Sequence, residues 1–254
     1  MNLYPTDRPL IGSRIILLNE VDSTNEYLKR EIKSNPEISE GTLVTADFQT
    51  DGKGQMGNKW LSESEQNILF SFYLKPKSFS TSKSWAISAA CSLGIVDFLQ
   101  KKNIPARVKW PNDIVIESKK IAGILIENSL QSNFISSAVV GIGFNFAQIN
   151  FPDFNRKAIS LVNFINPLPP KLEVLKEICA RIEFYIFKIK NHQFDFIKSE
   201  FEKNLYLIHQ KSPFLINNTL VEAEIQGISE EGLLKLLIQN KTQLFDLKEI
   251  SYAK

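Results

Sequence analysis

The chain holds only two cysteines, two histidines and two methionines in 254 residues. No apolar run approaches the roughly 18 residues that a membrane-spanning helix needs. Cys91 and Cys179 are far apart, and neither has a second Cys or a His at metal-ligand spacing, which excludes a disulfide framework and the usual zinc patterns. Each lies in an apolar, helix-like segment and reads as a buried thiol. No persuasive Ser-His or Cys-His arrangement is found, so covalent catalysis by a protein nucleophile has no support. Neither sign of charge dominates: 30 basic side chains against 28 acidic ones leave +2, so no broad basic face for a nucleic-acid backbone is expected. The opening MNLYPTDRPLIGSRII has no basic stretch followed by an apolar run, which points to the cytoplasm and to no membrane partner.

What is present is ordinary globular material, 43% hydrophobic and 23% charged. The length suits a medium domain plus a small one. Residues 14–21 (RIILLNEV) predict a strand that runs into Asp22-Ser23-Thr24-Asn25-Glu26, a capping-box pattern opening a helix to about Lys33. Residues 41–50 (GTLVTADFQT) and 67–74 (NILFSFYL) predict strands, the second fully buried. Trp85, Ala89, Leu93, Val96 and Leu99 mark a helix with one buried face. Strands follow at 107–116, broken by Pro111, at 121–128 and at 134–146. Neighbouring strands outnumber helices, so the expected class is α+β: a mixed, mostly antiparallel sheet with helices on one face, rather than repeated strand-helix-strand units. Beyond Pro167, Pro169 and Pro170, a long helix carries Leu172, Leu175, Cys179, Ile182, Ile186 and Ile189 on one stripe, and a second runs from about Phe194 to Leu205. Short strands with polar turns then suggest a small β-barrel, giving domains 1–205 and 206–254.

The stretch QTDGKGQMGNKW places Gly52, Gly54 and Gly57 at dinucleotide-fingerprint spacing. That fingerprint needs a helix opening on its last glycine and a ribose-binding carboxylate about twenty residues on. Here NKWLSESEQ leads into a strand, and FYLKPK stands where the carboxylate should be. The phosphate-loop pattern fails too. The remaining readings are a hairpin connection and a loop that folds over an anionic ligand.

Four further blocks decide between them. Ser23-Thr24-Asn25 precedes the loop; KWPND (109–113), KKIAGILIE (119–127) and GIGFN (141–145) follow it. Singly these read as a helix cap, an edge turn, a solvated hairpin tip and a strand bend. Together, in this order, they resemble the biotin protein ligases over residues 14–146, and the segment around GISEEGLL resembles that family's SH3-like domain. The resemblance implies a class II synthetase-like catalytic domain with a C-terminal SH3-like barrel. It also implies an enzyme that activates biotin with ATP and Mg²⁺ as biotinyl-AMP and transfers it to a lysine of a biotin carboxyl carrier protein.

Bringing a carboxylate against a phosphate requires cations already in place. By the resemblance, Lys53 and Lys120 neutralise charge at the phosphorus, and Asp113 joins them as a catalytic residue and as the metal candidate. Ser23, Thr24, Asn25, Gln49, Gly52, Lys53, Gly54, Gln55, Trp60, Lys120, Gly123, Gly141 and Gly143 form the biotin site, the last three glycines leaving space for ligand. Lys53, Asn58, Trp60, Asn112, Asp113, Lys120 and Asn145 form the ATP site. Many family members carry two arginines where this chain has Lys53 and Gln55, so weaker retention of the adenylate is expected here. About a dozen residues precede the first strand, so a ligase without a DNA-reading repressor domain is expected, as monomer or homodimer. The alternatives are a lipoate or octanoate ligase, which would carry an arginine and glycine-triplet motif absent here and lack KWPND, and a catalytically inactive carrier-binding protein.

Overall fold

The computed structural model describes residues 9–76, 79–151 and 157–253; the start of the N-terminal segment, read above as lacking a leader, lies outside them. Strand β1 (Ile15–Val21) leads into helix α1 (Thr24–Ser34) and strand β2 (Leu43–Gln49), and β1 and β2 pair in parallel. This one strand-helix-strand unit is the parallel part of the mixed, mostly antiparallel sheet that the sequence predicts; α1 supplies the crossover that parallel neighbours require. Strand β3 (Asn67–Leu74) is buried at all eight residues, as its continuous apolar run predicts. After the short β4 (Phe79–Ser80) and helix α2 (Trp85–Gln100) come β5 (Ala106–Lys109), β6 (Asp113–Ile116), β7 (Lys119–Gln131) and β8 (Phe134–Asn145). The sheet order is β1-β2-β3-β8-β7-β6-β5, with β4 paired to β8.

Strand periodicity sorts side chains onto two faces. Ile68, Phe70 and Phe72 of β3, with Val140, Ile142 and Phe144 of β8, face the main core, which includes Ile87, Ala90 and Leu93 of α2. The alternate positions Val44, Tyr73 and Val139 pack against Leu28 of α1. Helices therefore cover both faces, correcting the one-face expectation. Helix α2 is buried on nearly every side rather than along one stripe, because helix α3 (Lys171–Lys190) covers the side turned away from the sheet. On α3 the expected stripe is buried except at Leu172, which is exposed in the first turn. Cys91 and Cys179 are both free, and burial pushes both thiols well above the usual range, so they behave as core apolar groups.

Helix α4 (Phe194–Lys203) leads to a second, five-stranded antiparallel sheet of β9 (Lys211–Ile216), β10 (Thr219–Ile228), β11 (Leu234–Ile238), β12 (Lys241–Phe245) and β13 (Ile250–Tyr252), in the order β12-β11-β10-β9-β13. Its inward residues Phe214, Ile225, Leu234 and Leu236 join the same apolar cluster as α2 and α3. Among the described residues no helix is long and apolar enough to cross a membrane.

Candidate active site

Register places the site. Leu69 of β3 pairs with Gly143 of β8, Gly143 with Gly123 of β7, and Gly123 with Asp113 of β6; Ser71, Gly141 and Leu125 form the next row. All these positions lie on the α1 face of the sheet, because residues directly opposite one another point the same way. In GIGFN the glycines face the site while Ile142 and Phe144 face the core.

Other side chains of the site approach these glycines closely. A Cβ on Gly143 would run into the indole of Trp60, one on Gly141 into the amide of Asn25, and one on Gly123 into both Lys120 Nζ, at 2.7 Å, and Trp60. The missing side chains let Trp60 and Asn25 come close to the sheet. Above them a cleft of about 430 Å³, including space open to solvent, is lined by Ser23, Thr24, Asn25, Gln49, Lys53, Gly54, Gln55, Trp60, Asn112, Lys120, Gly123, Gly141 and Gly143. Ile124, Leu125 and Ile142 complete its wall.

The polar end of the cleft is built where α1 begins. Thr24 donates from both its backbone N and its Oγ1 to Gln49 Oε1, at 2.8 and 3.0 Å. Gln49 thus satisfies a first-turn N–H that Ser23, which makes no side-chain cap bond, leaves open; the capping box expected here does not form. Ser71 Oγ lies 2.6 Å from Asn25 Oδ1 and 2.7 Å from Thr24 Oγ1. One hydroxyl hydrogen can serve only one of them at a time. Asn25 Nδ2 donates to Glu127 Oε2 at 2.8 Å. Ser71 and Glu127 were missed in the sequence; the signal for Ser71 was a single hydroxyl inside the apolar run NILFSFYL.

The cations come from two sides. Lys120, near the start of β7, sits 2.6 Å from Asp113 Oδ1 and 5.2 Å from the Trp60 ring centre. Lys53 comes from the glycine loop and pairs at 2.5 Å with Glu26, which also holds Lys29; Lys29 in turn holds Glu127. The two lysines hold the Glu26 carboxyl below its ordinary range, with Lys29 the larger influence.

The loop closes on itself. Gly54 N donates to Asn58 O at 2.7 Å and Trp60 N to Gly52 O at 2.8 Å, around a tight turn at Gln55–Gly57 in which Met56 and Gly57 take positive φ. The backbone N–H groups of Gly54 and Trp60 are thus spent on loop closure. Gly52 lets the two loop arms approach, since a Cβ there would meet Trp60 O at 2.5 Å. No dinucleotide helix follows Gly57; β3 does.

Four expected residues lie outside the cleft wall: Gly52, Asn58, Asp113 and Asn145. Asn58 is exposed and bonds the loop through Nδ2 to Gln55 O. Asn145 is buried and donates to Lys120 O and Ile159 O, both at 3.1 Å, so its amide organises backbone beside the cleft. Asn112 donates to Ile124 O at 2.7 Å, pinning KWPND against β7. From the other side, Trp110 Nε1 donates to Gly232 O and Trp85 Nε1 to Glu230 O, so the GISEEGLL turn of the second sheet braces the KWPND segment.

A model of the Biotin/lipoate A/B protein ligase family matches residues 17–145, which span every element of the cleft. The bifunctional ligase/repressor BirA of Bacillus spizizenii is 30% identical over 234 residues, covering 91% of this chain and 71% of that protein. The biotin–[acetyl-CoA-carboxylase] ligase of Paracoccus denitrificans is 31% identical over 134 residues, covering 52% of this chain and 54% of its own. Among solved structures, the biotin protein ligase of Aquifex aeolicus in complex with biotin and ATP matches with a TM-score of 0.79 at 30% identity, covering 95% of this chain and 99% of that one. With the cleft, its two lysines and the glycine-floored sheet in the matched segment, the chain belongs to the biotin protein ligases, enzymes of the Biotin/lipoate A/B protein ligase family.

Proposed function

We propose that the protein activates biotin with ATP as biotinyl-5′-AMP and transfers the biotinyl group to a lysine of a biotin carboxyl carrier domain. The observation that carries this reading is the pair of lysines, Lys53 and Lys120, reaching from different elements into one cleft that also has hydrogen-bonding and apolar lining. A ureido ring suits the Ser23, Thr24, Asn25 and Gln49 end, and an aliphatic tail suits Trp60 and Leu125. The carboxylate at the end of that tail would lie between the lysines, where repulsion from the α-phosphate is lowest. Oxygen of the carboxylate attacks that phosphorus and pyrophosphate leaves. In the second step the carrier lysine amine attacks the acyl carbonyl, losing a proton, and AMP departs.

Lys120 and Lys53 stabilise the charge that builds on the phosphoryl oxygens. Asp113 orients Lys120, and Asn112 holds the segment from which Asp113 projects. Among the described residues no group of three or more metal-ligating side chains occurs, which fits Mg²⁺ entering with the triphosphate rather than an all-protein cage. Bound so, it would neutralise phosphate charge, with Asp113 as its candidate carboxylate. We read residues 206–254 as an SH3-like unit whose turn at Gly232 supports the site made by residues 1–205.

The test is incubation with Mg-ATP, a carrier domain, and either biotin or lipoate, followed by the mass of the carrier lysine. Biotinylation is expected. Lipoylation alone would move the enzyme to the other branch of the family, and no modification with either acid would remove the reading.

A further inference from the structure

Every cation that lines the cleft is held by a protein carboxylate. Lys120 is held by Asp113 from the neighbouring strand, a pair within the sheet. Lys53 differs: it stands on the loop, and its partner Glu26 stands on α1, 27 residues away. Glu26 is itself fixed from behind. Its Oε1 is 2.8 Å from Lys29, Lys29 is 2.8 Å from Glu127 on β7, and Glu127 accepts from Asn25. The carboxylate is thus anchored to helix and sheet, while the ammonium it holds belongs to a segment tied chiefly by its own internal bonds.

We propose that Glu26 is the resting counter-ion of Lys53: it latches the glycine loop in the absence of ligand and competes with the ligand's anionic group for the Lys53 ammonium. Glu26 is in this sense a positioning residue that sets how strongly the loop discriminates an acid from its uncharged analogue. The ligand part of the proposal rests on the biotin reading; the latch does not. When an anion enters, Lys53 exchanges one carboxylate for another, and Glu26 keeps Lys29 as its partner, so no bare carboxylate is left behind. The exchange is nearly balanced, which suits a loop that must both close over a ligand and release it.

Two measurements on Glu26→Gln, Lys53→Met and the double variant test this. In the free proteins, amide hydrogen exchange at Gly54, Asn58 and Trp60 is expected to quicken about two- to fivefold in either single variant, the size of a partly exposed ion pair, with no further gain in the double. Calorimetry with biotin and with biotinamide forms the second arm. Glu26→Gln is expected to bind biotin about two- to fivefold more tightly and biotinamide as the parent does, and the gain is expected to vanish in the Lys53→Met background. A merely structural role would move both ligands together. Loop exchange unchanged in Glu26→Gln overturns the latch, and an equal shift for biotin and biotinamide overturns the competition. If the parent binds neither ligand while loop exchange responds as expected, the latch stands and the biotin reading falls.

Discussion

The indole of Trp60 occupies the space where a side chain on Gly143 would sit. A tryptophan from the loop after β2 thereby forms part of the cleft floor on β8, seven elements later in the chain. Gly143→Ala is expected to push the ring outward, because the contact is with a movable side chain rather than with backbone. Activity should fall about 10- to 100-fold through misplacement of the floor, while stability changes by less than about 2 kcal/mol. Tryptophan emission and urea unfolding check both halves.

Lys120 and Asp113 should separate in their effects. Lys120→Met is expected to slow adenylate formation by about 10²-fold or more, through loss of charge stabilisation at the phosphorus, with a smaller change in biotin affinity. Asp113→Asn leaves Lys120 without its carboxylate at a largely buried position and should also cost about 1–3 kcal/mol of stability. Pyrophosphate release and denaturant midpoints distinguish the two.

Gln55→Arg is expected to slow adenylate release. An arginine restores charge and a two-point grip on phosphate or carboxylate where the chain has a neutral amide. Dissociation of preformed biotinyl-AMP no slower than in the parent would count against this account of the loop.

Ser71→Ala removes the buried hydroxyl shared by Thr24 and Asn25. Leaving those groups short of a partner should cost about 1–3 kcal/mol and weaken biotin binding without changing the pH profile of turnover. Ser71→Thr tests whether the hydroxyl alone suffices; its extra methyl must fit a fully buried position.

The acid limb of stability should carry a small contribution from the start of α1. The Arg30 guanidinium bonded to Asp22 holds that carboxyl down to about 2, against an ordinary 3.8. A depressed acid stabilises the fold above its unfolded pKa and loses that contribution as pH falls toward about 2. Both partners are about half exposed, so the effect should stay below about 1 kcal/mol. The stability gap between parent and Asp22→Asn, followed by urea unfolding from about pH 6 downward, is expected to close across that window.

Much of the scaffold was legible because it follows from local pattern. The run NILFSFYL predicts a strand buried on both faces, and β3 is one. The glycine stretch could be cleared of the dinucleotide reading from its flanks alone, and the structure places it between two strands. Thirteen of the residues expected around the ligand line one cleft. Less legible was the use made of each. The capping box does not form, and it is Gln49, on β2, that accepts from the first N–H of α1.

By itself the sequence determined the order of strands and helices, since alternation and helical spacing are written into neighbouring residues, and the set of polar and glycine blocks from which the site is assembled. Only the tertiary structure decided which partner each charged group holds: Lys53 with Glu26, and Asn25 with Glu127, a residue 102 positions away. It also decided which side chains lie over the glycines of β7 and β8, namely Trp60 and Asn25. The reason is physical: pairing and packing depend on distances through space, and strand register sets these only after the sheet has closed.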